Sequence, residues 1–258
     1  MEKLPPQRHA LILDMVRAHG AASIHSLAEH LNVSPSTVRR DLEYLTEGGY
    51  LERTHGGAVS RRPPTARFEV DASIAAETAR AEKRAIGAEA ARRVMAGQSV
   101  IFDASSTVRA AAEHVIGLGV ALTAVTNDLV TARILVGSSA VETVVAGGTV
   151  LAGTTTLVGE PAHGFLSRIH ADIAFIGVHT ISGNVLTETS LEVARMKQLM
   201  IAAANKVIVL ADSTKFTSPA FVEICRINEV SEIITDAGAS PQRLNELRSA
   251  GVECTVAP

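Results

Sequence analysis

The chain runs to 258 residues with 47% apolar and 20% charged side chains and a formal charge of -3, which excludes a disordered chain and suits one large domain or a small one plus a medium one, two being the starting count. Aromatics make up 3% with no Trp, disfavouring stacked-ring carbohydrate sites and single-strand nucleic-acid platforms, and the two cysteines, Cys225 and Cys254, form neither a disulfide framework nor a ligand-spaced metal pair. The longest apolar stretch, Val115 to Val125, falls short of the roughly 18 residues a spanning helix needs, and MEKLPPQRHA lacks a secretory pattern, so a cytoplasmic protein without a membrane segment is expected.

From the front, Arg8 to Ala18 sets Ile12, Met15 and Val16 on one face with Leu11 alongside, predicting an amphipathic helix that Gly20 ends. Ser23 then precedes Ile24, Leu27, Ala28 and Leu31 at helical spacing, with Asn32 closing that second helix. Ser34-Pro35 reads as an N-cap and first helical position, and Val38, Leu42 and Leu45 form the inward stripe of a third helix ending at Gly48-Gly49. Two short helices across a tight turn make a helix-turn-helix. Tyr50 to Arg53 and Ala58 to Ser60 flank Thr-His-Gly-Gly, which predicts a β-wing. Arg61 to Thr65 reads as a linker, because consecutive prolines continue neither helix nor ladder.

These signals divide the chain into residues 1–62 and 63–258. In the second part a helix is expected over Ala79 to Met95. Aliphatic runs at Ser99 to Asp103, Ala121 to Thr126, Val141 to Ala146, Asp172 to Gly177, Val207 to Ala211 and Glu232 to Asp236 then alternate with helical patterns. That alternation argues a mostly parallel sheet covered on both faces. The expected fold class is therefore α/β, an N-terminal winged helix-turn-helix joined to a larger Rossmann-like domain.

Charge is nearly balanced in the first part, eight Lys and Arg against seven Asp and Glu, so position matters more than sum. Arg39, Arg40, Arg53, Arg61 and Arg62 concentrate within two dozen residues, as a phosphate-backbone footprint requires. On the third helix Ser34, Ser36, Thr37, Arg39 and Arg40 lie off the apolar stripe. Short hydroxyls near its N-terminus and adjacent arginines suit contacts to phosphates and base edges, with Arg53 and His55 on the wing; a solvated face with a capping serine is the plain alternative for an isolated helix.

The run SLAEHLNVSPSTVRRDLEYLTEGGYLERTHGGAV resembles the DNA-binding signature of the DeoR family of bacterial transcriptional regulators. EKRAIG, FDASSTV, VTN, Gly147-Gly148, ADIAFIG and LADSTKF extend the resemblance more loosely through the rest. It implies a sensor domain similar to sugar-phosphate isomerases and deaminases, operator DNA as partner, a phosphorylated sugar or polyol as effector, a homo-oligomer (dimer or tetramer), and no cofactor. Asn127, within VTN, and the glycine pair enter the effector site on this ground.

Read physically, Asp103-Ala-Ser-Ser-Thr107 ends a strand and opens a helix, so backbone N–H groups, the hydroxyls of Ser105, Ser106 and Thr107 and the helix dipole converge where an anion sits well. Plain helix capping accounts for the same residues, and Ser105 stands where the family usually has glycine. Lys215, just past a strand end, is placed as a point charge for phosphate, and Lys197 is a second candidate; each is otherwise a surface lysine paired with an acid. TVLAGTTTLV, between Gly148 and Gly159, either closes over a ligand or forms a turn-rich loop. His179 departs from the family's small residues after the ADIAFIG strand and is either a selector of the sugar or a solvated loop residue. His163, His170 and His179 match no metal spacing. The rival function is a sugar-phosphate isomerase or deaminase carrying a DNA-binding appendage, with Asp103, Asp172, Glu192 and Asp212 as available bases.

Overall fold

In the computed structural model, which describes residues 3–61, 65 and 71–258, helix α1 spans Pro5–His19. It begins before Arg8 because Pro5 and Pro6 occupy the first turn, where a fixed φ and a missing N–H are no loss. Gly20, at φ 76°, stops it, and strand β1 (Ala21–Ser23) follows. Helix α2 (Ile24–Leu31) is capped by the Ser23 hydroxyl, which accepts from Ser26 N–H at 3.1 Å, and Asn32 ends it in the left-handed region. Helix α3 (Pro35–Glu47) starts at the Ser34 cap. Strands β2 (Leu51–Thr54) and β3 (Gly57–Ser60) form the wing hairpin around His55-Gly56, and the antiparallel order is β1-β3-β2. Gly57 is obligatory: a β-carbon there would stand 2.0 Å from Ala22 carbonyl O in β1.

Ile12, Leu13, Val16, Leu27, Leu31, Val38, Leu42, Leu45 and Leu51 form the N-terminal core, and Ile74 of helix α4 (Ala72–Glu77) joins them. The compact unit accordingly runs Met1–Arg80, past the expected boundary at Arg62. Of the expected Arg61–Thr65 linker, residues 62–64, including Arg62 of the arginine cluster, lie outside the described residues.

The second unit, Ala81–Pro258, is built on a seven-stranded parallel sheet. Its elements in order are α5 (Arg80–Ala91), β4 (Ser99–Phe102), α6 (Ser106–Ile116), β5 (Leu122–Thr126), α7 (Leu129–Leu135), β6 (Val141–Val145), β7 (Thr149–Val150), β8 (Leu157–Val158), α8 (Ala162–Leu166) and β9 (Ala171–Ile176). Then come β10 (Thr180–Ser182), β11 (Val185–Glu188), α9 (Leu191–Ala202), β12 (Ala204–Leu210), a 3-10 turn (Ser213–Lys215), β13 (Val222–Arg226), β14 (Glu232–Thr235), α10 (Pro241–Ser249) and β15 (Glu253–Val256).

The order β15-β14-β12-β9-β4-β5-β6 contains all six expected strands, and β15 is an addition. Alternate residues face opposite cores: Phe102, Phe175, Ile208 and Ile234 meet Ile86 of α5 and Val108 of α6, while Ile101, Ile176, Val209 and Ile233 meet Met196 and Met200 of α9. The chain winds from β4 outward through β5 and β6, then resumes on the other side at β9. The order thus reverses between β4 and β9, and in open α/β sheets ligands bind beyond the strand ends at such a point. A second antiparallel sheet, β10-β11-β13, was not expected.

At the opposite end of the strands Glu232 is fully buried. It accepts from Arg93 Nη2 at 2.7 Å, Lys206 Nζ at 3.1 Å and Thr255 Oγ1 at 2.9 Å.

Candidate nucleic-acid interface and effector site

The Ser34 hydroxyl accepts from Thr37 N–H at 3.2 Å and lies 2.7 Å from Ser36 Oγ and 2.9 Å from Thr37 Oγ1. Ser34 and Thr37 therefore serve the helix start, and Ser36 stands exposed beside them. Arg39 and Arg40 are exposed on the side away from Val38, Leu42 and Leu45, and Arg53 and His55 are exposed on the wing. None of these four side chains makes a hydrogen bond or ion pair among the described residues. Free guanidinium groups on one helix and an adjoining hairpin form a surface that neutralises phosphates without first breaking internal pairs.

Behind that surface lies an arrangement the sequence reading missed. Asp41 is buried on α3, where Oδ2 accepts from Arg8 Nε at 2.8 Å and Oδ1 from Arg8 Nη2 at 2.9 Å, with His9 Nε2 at 3.1 Å from Oδ1. Desolvation pushes the Asp41 carboxyl upward, but the hydrogen bonds from His9 and Arg8 outweigh it and leave it below its ordinary value. The available signal was an acidic residue at helical spacing from Val38 and Leu45, on the apolar stripe itself.

At the switch point of the sheet, Ser105 caps α6 by accepting from Val108 N–H at 3.1 Å, leaving Ser106 half-buried in the first turn and Thr107 buried. Gly177, the first residue after β9, lies against Ser105: a β-carbon there would meet Ser105 Oγ at 2.2 Å. Its N–H donates to Asp103 Oδ2 at 2.9 Å, which ties the two strand ends together.

Lys197 is no surface lysine. It is 3% exposed, with Nζ 2.5 Å from Glu188 Oε2 and 3.6 Å from Asp103 Oδ2. Burial opposes charge on both acids; the Lys197 ammonium outweighs it at Glu188, whose carboxyl is lowered, whereas the more distant Asp103 is raised. Glu188, an acid ending an aliphatic strand before the Ser190 cap, was the second residue missed. His179 is half-buried nearby, and desolvation, with Lys215 and Lys197 adding repulsion against the pull of Glu188, drives its imidazole down to about 4. It is therefore neutral near pH 7 and can donate from one nitrogen and accept at the other. The Lys215 side chain, closing the 3-10 turn after Asp212, has no hydrogen bond or ion pair among the described residues. Asp103, Ser105, Ser106 and Thr107 follow the β4 end and His179 the β9 end, with Lys197 close to Asp103 and Lys215 within electrostatic reach of His179.

Asn127 and Gly148 contact the β7–β8 hairpin, and Gly147 lies against Pro161. Asn127 is buried and donates from Nδ2 to Leu157 O at 3.0 Å, and a β-carbon on Gly148 would stand 2.6 Å from Val158 O. These contacts seat the β7–β8 hairpin, the TVLAGTTTLV segment, beside the β5 end. Arg109 on α6 secures it further, donating to Asp128 through Nε at 2.8 Å and to Thr155 Oγ1 at 2.9 Å. The segment is a pinned hairpin rather than an open loop.

Residues 8–63 match the DeoR-like helix-turn-helix domain, and residues 78–237 match the DeoR C-terminal sensor domain. Over 251 residues the chain is 36% identical to the HTH-type transcriptional regulator GlpR of Haloferax volcanii, covering 96% of each chain. It is 34% identical to the HTH-type transcriptional repressor GlcR of Bacillus subtilis, covering 97% of this chain and 95% of that one. The glycerol-3-phosphate regulon repressor of Escherichia coli is 31% identical, with 90% of each chain covered. All three are named as regulators or repressors rather than enzymes, which sets aside the isomerase or deaminase alternative.

Proposed function

Because the chain belongs to the DeoR family of transcriptional regulators, we propose that it represses a sugar or polyol catabolic operon, holding double-stranded operator DNA until a phosphorylated sugar or polyol binds at the β4–β9 switch point. The observation that carries this reading is the convergence there of an α6 N-terminus, the unpaired Lys215 and the neutral His179. The backbone N–H groups of the first α6 turn, the Ser106 and Thr107 hydroxyls and the Lys215 ammonium receive the phosphate. His179 and the Glu188–Lys197 pair face the hydroxyl-bearing remainder, and the name of the E. coli relative is consistent with a phosphorylated polyol.

On the DNA side, Ser36, Arg39 and Arg40 enter the major groove, with Arg53 and His55 on the adjacent backbone. A symmetric dimer or tetramer presents two such helices to paired half-sites. The effector releases DNA only by binding one arrangement of protomers better than the other, since equal affinity shifts nothing. No helix of the described residues is long and apolar enough to cross a membrane, and DNA as the partner places the protein in the cytoplasm.

A thermal-shift screen of phosphorylated sugars and polyols tests the sensor, because a ligand that binds only the folded state raises its stability. The hit should then weaken DNA binding in the wild type, and fail to do so in Ser106→Ala/Thr107→Ala and Lys215→Met proteins that bind DNA normally without it. A response at the wild-type concentration in both variants places the phosphate elsewhere.

A further inference from the structure

We propose that the Arg8–Asp41–His9 cluster is a positioning device that fixes the roll and axial setting of α3, and so governs sequence discrimination in DNA binding more than it governs stability. This rests on α3 being the recognition helix. The buried residues of α3 are Val38, Asp41, Leu42 and Leu45, so Asp41 is the single charge on its inward face. An apolar stripe is non-directional and tolerates small slides and rotations. A two-point guanidinium–carboxylate fork does not, because both oxygens of Asp41 must meet Arg8 at 2.8 and 2.9 Å.

Two further contacts stiffen the same joint. Arg8 Nη1 donates to Lys3 O at 2.9 Å, and the His9 ring stacks on Tyr44, one turn along α3, at 4.7 Å between centroids. Asp41 directly follows Arg39 and Arg40, so the clamped position lies within one turn of the residues that read the groove. A 20° roll carries the rim of a helix by about 2 Å, enough to break base-edge hydrogen bonds. Buried ion pairs return little net stability, since desolvation offsets their attraction; their best-attested use is to fix a register.

The test uses the full chain. A duplex is selected from randomised DNA by the wild-type protein, and affinities for it and for an unselected duplex of equal length are compared. Arg8→Lys keeps the charge but not the fork, and Arg8→Met/Asp41→Leu replaces the cluster by apolar side chains. Both should lower the selected-to-unselected affinity ratio by about fivefold or more, the amount one misread base pair produces. Affinity for the unselected duplex and its salt dependence should hold, as phosphate contacts alone supply them. Failure of the wild type to select any duplex refutes the DNA-binding reading itself. If it selects one and the variants keep its ratio within about twofold, or lose both affinities equally, the positioning role is overturned. Should the apolar variant misfold, Arg8→Lys decides alone.

Discussion

Replacing Gly177 with Ala probes how tightly the β4 and β9 ends are joined. The new β-carbon would stand 2.2 Å from Ser105 Oγ and 2.4 Å from Ser105 Cβ. Rotating the hydroxyl relieves the first contact but not the second, so Ser105 must move as a residue. Overpacking of this kind costs about 1–3 kcal/mol, and the displaced Ser105 also forfeits its cap on Val108 N–H, worth about 1 kcal/mol. The expected loss is about 2–4 kcal/mol. Ser105→Gly removes the obstructing atoms and costs only a few tenths of a kcal/mol at a cap position, roughly what glycine costs there. The double variant Ser105→Gly/Gly177→Ala should therefore be more stable than Gly177→Ala alone, recovering about 2 kcal/mol. Urea unfolding of the four proteins closes the cycle. Strict additivity, within about 0.5 kcal/mol, would refute the steric argument.

Arg39→Ala and Arg40→Ala should each weaken DNA binding without changing thermal stability; where the side chain meets only phosphate, the slope of log affinity against log salt should fall by about one unit in a salt titration. Glu232→Gln should destabilise the protein at pH 7 by about 1–3 kcal/mol, because Arg93 and Lys206 lose the negative charge they share and one of its two acceptor oxygens becomes a donor. Burial works against the Glu232 charge, but Arg93, Lys206 and Thr255 hold its carboxyl below the ordinary range, so its contribution is present above that range and is lost as pH falls through the lowered value; urea midpoints against pH should show a flatter acid limb in the variant. His179 adds to the same acid loss by a different route. Its folded form refuses a proton until about pH 4 while the unfolded chain takes one near 6.5, so stability should fall between those values as pH drops, and less so in His179→Gln. Asp128→Asn removes the charge that Arg109 grips, and proteolysis should then cut within the β7–β8 hairpin, which stays protected in the wild type.

The helices and sheet strands were legible because their signals are local. Ser23, Ser34 and Asn32 sit at helix ends for reasons of backbone hydrogen bonding that need no tertiary information. The aliphatic strands announced burial on both faces. What escaped was set by distant partners. Strands β10, β11 and β13 are short and mixed in polarity, and Thr187 gains its meaning from Thr180 and Ala220. The burial of Lys197 depends on Glu188, nine residues earlier on another element, and no spacing rule pairs them. Helix α4 was missed for the same reason, since only Ile74 enters the core. Of the candidate site, the position of the Ser105–Thr107 turn at a strand end was legible from local pattern, whereas the contacts of Asn127 with Leu157 and of Gly148 with Val158 depend on a hairpin thirty and ten residues further on.

The anchoring of α4 bears on how such regulators exchange their parts. Ile74 is 1% exposed, and Ala79 N–H donates to Asp14 Oδ2 at 3.3 Å while Ala79 itself adopts φ 50°, uncommon for a residue with a β-carbon. A chimaera that grafts a foreign sensor after the proline pair would strip Ile74 from the winged-helix core, at a cost of about 1.5–3 kcal/mol for one buried isoleucine. A graft placed after Arg80 leaves that core whole. Recombination between family members, in the laboratory or in a genome, has its least damaging seam sixteen residues beyond the one that the prolines advertise.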